Sequence, residues 1–76
     1  MDYYELLKTI VITSKLHGDF RFEIFHQQGV YYADIYLRDK ETGRWLVYKP
    51  WFWLTNSKTL DEAISACVRR VEIHGQ

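Results

Sequence analysis

Between Phe20 and Lys49 apolar side chains recur at every second position, and that period commits the middle of the chain to a sheet. Phe20, Phe22 and Ile24 alternate with Arg21, Glu23 and Phe25, the pattern of a strand with one face buried. His26-Gln27-Gln28-Gly29 reads as a turn. Tyr31, Ala33, Ile35 and Leu37 then alternate with Tyr32, Asp34, Tyr36 and Arg38. Asp39-Lys40-Glu41-Thr42-Gly43 forms a second turn, ending on the glycine that a bulged hairpin loop favours. A third strand is predicted from Arg44 to Lys49. Pro50 then lacks the N–H that a ladder needs, so the strand ends, bulges or lies on an edge there.

On either side of this meander the spacing changes to that of helices. Behind the Thr59-x-x-Glu62 capping box, Leu60, Ile64, Cys67, Val68 and Val71 fall on one face and Asp61, Glu62, Ser65, Arg69 and Glu72 on the other. Acids open this helix, Arg69 and Arg70 close it in keeping with the helix dipole, and His74-Gly75 ends it. At the other end, Asp2-x-x-Glu5 resembles a capping box, and Tyr3, Leu6, Leu7, Ile10, Val11 and Ser14 recur three and four apart up to His17-Gly18. The run Thr9-Ile10-Val11-Ile12-Thr13 is β-branched and compatible with a strand. The spacing favours a helix. The expected fold is therefore a single α+β domain over residues 1–76, in the order α-β-β-β-α, with the helices packed on one face of an antiparallel three-stranded meander.

Strand alternation sorts the side chains into two faces. Phe20, Phe22, Ile24, Tyr31, Ala33, Ile35, Leu37, Leu46 and Tyr48 are assigned to the covered face. Arg21, Glu23, Phe25, Tyr32, Asp34, Tyr36, Arg38, Trp45, Val47 and Lys49 are assigned to the open one. Three or four aromatics at ~150–250 Å² each approach or exceed the ~300–600 Å² of a monomer's largest apolar patch. The mixture of Tyr, Trp and Arg is the one that interface hot spots favour. The expected binding residues are Arg21, Tyr32, Tyr36, Arg38, Trp45, Lys49, Trp51 and Trp53. The segment Trp51-Phe52-Trp53-Leu54 is too apolar to be a free loop. Either Phe52 and Leu54 seal the core while the tryptophans extend the open face, or the reverse.

The chain lacks the residue patterns of most chemistry. His17, His26 and His74 are scattered, and no His-x-x-x-His or Cys-x-x-Cys spacing suggests a metal. The single cysteine, Cys67, falls on the apolar face of the last helix, where it reads as a core residue. The four glycines are isolated turn residues and form no phosphate loop. Neither enzymatic activity nor a cofactor is expected. Net charge is zero, with acids and bases mixed along the chain, which argues against the basic footprint of a duplex-DNA binder. No signal peptide or membrane span is recognisable, and one cysteine in a chain of this size points to a reducing compartment. A cytoplasmic location is the expectation.

Two resemblances follow. The element order, together with Ser57-Lys58-Thr59-Leu60-Asp61-Glu62-Ala63 at the start of the last helix, resembles the double-stranded RNA-binding domain. That family carries a lysine cluster at this helix start, whereas here Lys58 is followed by Asp61 and Glu62, which repel phosphate. As a class, very short single-domain α+β chains without catalytic residues are similar to phage-encoded inhibitors, including anti-CRISPR proteins. This resemblance implies a protein that works in the host cytoplasm by occluding a surface of a larger complex. Three functions compete on these grounds. The first is a protein-binding inhibitor or adaptor using the open face. The second is a nucleic-acid binder stacking bases on the same aromatics beside Arg21, Arg38 and Lys49. The third is a homodimer formed through the open face or the edge flanked by Pro50.

Overall fold

The computed structural model describes residues 4–73. Four strands and one helix follow one another: β1 (Glu5–Ser14), β2 (Gly18–Gln27), β3 (Val30–Arg38), β4 (Trp45–Trp53) and α1 (Leu60–Ile73). The strands pair antiparallel in chain order, β1-β2-β3-β4. The fold is α+β, but its order is β-β-β-β-α in place of the expected α-β-β-β-α.

The difference lies in the first segment. Residues 5–14 form a strand, with Ile10 opposite Phe22, Val11 opposite Arg21 and Ile12 opposite Phe20. The β-branched run suits this pairing, because β-branched side chains pack well on a pleated surface and crowd a helix. Ile10 and Ile12 pack against the core, while Val11 between them is exposed. Lys15–His17 is a hairpin turn, not the end of a helix, and Gly18 takes the left-handed φ of +82° that it requires. The expected N-cap Asp2 and the expected stop His74-Gly75 lie outside the described residues. With the first helix absent, the element order no longer matches that of the double-stranded RNA-binding domain.

The remaining turns follow their residues. Gln28 and Gly29, both at positive φ, make a two-residue hairpin loop, so His26 and Gln27 belong to β2 and not to the turn. In the 39–43 turn the Asp39 carboxylate accepts from the Thr42 hydroxyl at 2.8 Å and from the Glu41 amide at 3.1 Å. The Thr42 bond, then the Glu41 bond, hold this carboxyl below its ordinary pKa. β4 does not stop at Pro50 but runs on to Trp53, on the sheet edge and with register shifts on both sides of its pairing with Ile35.

Helix α1 begins as its sequence dictates. The Glu62 amide donates to Thr59 Oγ1 at 3.2 Å, and Glu62 Oε1 accepts from the Lys58 amide at 3.0 Å. Its buried Ala63, Cys67 and Val71 meet Phe20, Phe22, Ile24, Ala33 and Ile35 of the sheet, and Leu54 closes the cluster. Leu46, assigned to this covered face, is 52% exposed: it pairs with Leu37, which packs against the cluster, but it lies one strand further out, on the edge strand β4. No helix among the described residues is long and apolar enough to cross a membrane.

Candidate functional site

The sheet face opposite α1 is organised in four cross-strand rows, set by the register of β1, β2, β3 and β4. Thr13, Asp19, Arg38 and Trp45 make the first, and Val11, Arg21, Tyr36 and Val47 the second. Thr9, Glu23 and Asp34 make the third, and Leu6, Phe25, Tyr32 and Trp53 the fourth. The first three rows each carry charged side chains, and the fourth is apolar and mostly aromatic.

The first two rows interlock through guanidinium groups. Arg21 lies over the Tyr36 ring at 4.1 Å and 5.0 Å from that of Trp45, and Arg38 approaches Trp45 from its other neighbour at 5.4 Å. Such contacts contribute ~0.5–1 kcal/mol each at partly exposed positions. Arg38 reaches Asp19 at 3.4 Å, and Asp19 accepts from the Thr13 hydroxyl at 2.9 Å. Arg21 Nε stands 3.8 Å from Glu23 and is buried with no hydrogen bond. Burial, then the hydrogen bond to Glu23, push the Tyr36 hydroxyl above its ordinary pKa. Tyr36 is thus a neutral hydrogen-bonding phenol at physiological pH.

The fourth row carries a second, smaller core. Phe25, assigned to the open face, is only 1% exposed. Trp51 stands edge-on to it at 4.6 Å, Tyr4 packs at 4.7 Å and Tyr32 stacks at 5.8 Å. What brings Trp51 there is a backbone device. At Trp51 the chain adopts a left-handed φ of +53°, and its amide donates to Asp34 Oδ1 at 2.8 Å. A bulky residue in that region is costly unless its surroundings hold it. Here the Asp34 carboxylate and three rings do so. Asp34→Ala should therefore cost about 1–2 kcal/mol in urea denaturation and red-shift the tryptophan emission. An unchanged spectrum and midpoint would mean that the carboxylate does not hold the bulge.

Seven of the eight expected binding residues, Arg21, Tyr32, Tyr36, Arg38, Trp45, Trp51 and Trp53, fall on this face. Of the two arrangements open to segment 51–54, the structure adopts the first. Phe52 packs on the core and Leu54 is buried, while Trp51 and Trp53 remain about half exposed. Trp53, opposite Tyr32 at the end of the fourth row, also borders a shallow cleft at the sheet edge with Phe52, Ala66, Arg70 and Ile73. One expected residue stands apart. Lys49 does not share the face with Trp45 and Val47 as assigned. The bulge sets it opposite Ile35, and its ammonium lies 5.4 Å from the ring of core-packed Tyr48. Phe25 and Tyr4 were missed as members of the site. The pairing of Phe25 with Tyr32 is implied by a two-residue turn at Gln28-Gly29, but nothing local places Tyr4 on them.

Among the described residues no group of three or more His, Cys, Asp or Glu could hold a metal. Cys67 is buried against the sheet, and burial pushes its thiol up to about 12. Comparison with protein-family models, with curated proteins and with solved structures finds no match.

Proposed function

We propose that this chain is a non-enzymatic binding module that attaches to another protein through its open sheet face, as an inhibitor or adaptor that occludes part of a larger complex. The observation that supports this reading is the face itself. Its Tyr, Trp and Arg side chains are held in place by cross-strand contacts, and apart from Tyr4 and Trp51 over Phe25 no described segment packs over it. Side chains already fixed in their bound positions lose little entropy on association. The resemblance to phage-encoded inhibitors points to the same mode of action.

The charges favour a protein over a nucleic acid. Arg21 and Arg38 stand against Asp19, Glu23 and Asp34 on the same face, and both guanidinium groups already have carboxylate partners. That leaves little unbalanced positive charge for phosphate, the main source of nucleic-acid affinity.

The test uses the chain as bait in a lysate, followed by titration of the captured partner. Tyr36→Ala and Trp45→Ala should each weaken binding by roughly 30-fold, the effect of a ~2 kcal/mol hot spot. Both should keep the wild-type circular dichroism, and Glu72→Ala on the distant helix should bind normally. Unfolding of both variants would move these residues into the core and refute the proposal. Equal capture by all variants would also refute it. Quenching of tryptophan fluorescence by single-stranded oligonucleotides at low salt would transfer the face to a nucleic acid.

A further inference from the structure

The shallow cleft beside β4 is a groove with two unlike walls. Phe52, Trp53, Leu54 and Thr55 form one, and Ala66, Arg69, Arg70 and Ile73 of α1 form the other. The helix positions recur three and four apart, so they share one stripe of α1. That stripe is about 10 Å long, the reach of roughly three residues of extended chain. No acidic side chain lines the groove. Arg21 and Arg38 on the sheet face have carboxylate partners, whereas neither Arg69 nor Arg70 has one among the described residues. Arg69 also borders a neighbouring cleft with Asp61 and Glu62, but pairs with neither. The Arg70 guanidinium lies over the Phe52 ring at 5.3 Å, and its Nε is buried without an acceptor. Ring contact engages the face of a guanidinium and leaves its in-plane donors for another group.

We infer that this groove receives a short acidic and apolar segment of a partner protein, in which an aspartate or glutamate lies next to a bulky apolar side chain. Charge selects the acidic part. Two guanidinium groups without an ion-pair partner stand at a groove that holds no carboxylate, and arginine binds carboxylates through strong charge-assisted hydrogen bonds. The lining selects the apolar part. Trp53 is 59% exposed and Ile73 50%, so an apolar side chain laid between them and Phe52 removes apolar surface from water. Size selects a segment of a protein over a free small molecule. The groove has a volume of about 250 Å³, below the ~300–1,000 Å³ of pockets that enclose small ligands. Of its lining residues only Trp53 belongs to the open sheet face, so the groove is a second attachment point, independent of the Arg21, Tyr36 and Trp45 array.

Nuclear magnetic resonance titration of the isotope-labelled chain tests this, with a short end-blocked peptide of alternating leucine and glutamate as the probe. Amide signals of Trp53, Ala66, Arg69, Arg70 and Ile73 should shift, with half-saturation below about 1 mM. The same peptide with glutamine in place of glutamate should bind at least about tenfold more weakly, the loss of one hydrogen bond to a charged group. Arg69→Gln and Arg70→Gln should each weaken the glutamate peptide by about five- to tenfold and leave the glutamine peptide unchanged. Circular dichroism checks the fold of both variants, and the exposed Arg69 keeps the test valid if loss of Arg70 perturbs packing on Phe52. Tyr36→Ala should bind the peptide normally, which separates the groove from the proposed binding face. Equal binding of the two peptides removes the role of charge and overturns the inference. So does half-saturation above about 1 mM, or shifts confined to other surfaces. Shifts at the groove with an oligonucleotide but with neither peptide would overturn it in favour of phosphate.

Discussion

Phe25→Ala is expected to destabilise the domain by about 3–5 kcal/mol, although Phe25 lies on the face of the sheet that the helix does not cover. The ring is 1% exposed, as deeply buried as Phe20 or Phe22 of the main core. It is enclosed by Tyr4, Tyr32 and Trp51 at centroid distances from 4.6 to 5.8 Å. Truncation would leave a cavity under three rings and remove the surface that holds Trp51 in its left-handed conformation. A domain of this length has about 4–11 kcal/mol of total stability, so the loss is a large fraction of the whole. Urea denaturation followed by circular dichroism measures it. Val47→Ala, a substitution at a 65% exposed site on the same face, should change stability by no more than about 0.5 kcal/mol. If Phe25→Ala costs as little as Val47→Ala, the four rings are a surface decoration and not a second core. A large cost gives the open face two parts: a rigid aromatic floor at the Phe25 end, and an accessible array of Arg21, Tyr36 and Trp45 at the other.

The second large effect is expected in alkali. Cys67 is fully buried, and desolvation raises its thiol from 9.0 to about 12. The unfolded chain therefore ionises this group before the folded chain does. The stability linked to the neutral thiol is intact below pH 9 and is lost as the pH rises towards 12. The loss is ~1.4 kcal/mol per pH unit and roughly 4 kcal/mol in all. Tyrosines and lysines also titrate in this window, so the measurement is the difference between wild type and Cys67→Ala. Wild type should lose stability more steeply between pH 9 and 11. At pH 8 the thiol should react with a disulfide reagent only when denaturant opens the fold. Rapid labelling of the native protein would show that α1 lifts readily from the sheet, and parallel pH profiles would remove burial as the cause of the shift.

How much of this was legible in the residues can be judged element by element. The two central strands and the capped helix follow from local pattern, and there pattern and structure agree to within a few positions. Thr59 and Glu62 cap α1 as their spacing requires. Residues 5–14 were misread because an apolar spacing of three and four and a β-branched run coexist there. What resolves the two is the edge of β2, a partner that no window within the segment contains. The open face was legible as a set of outward aromatics, except at Lys49 and Phe25. Both exceptions trace to backbone irregularity around Pro50. One bulge turns Lys49 towards Ile35, and the left-handed residue that follows swings Trp51 onto Phe25.

The sequence by itself determined a small sheet-and-helix domain, the identity of most core residues, and an aromatic–arginine face. Those properties depend on periodicity and composition, which are local. Only the tertiary structure decided that the first segment is a strand and that Phe25 is buried under Trp51. Each of these depends on contacts between residues far apart in the chain. Alternation predicts which face a side chain takes only while the register holds, and a single bulge shifts it.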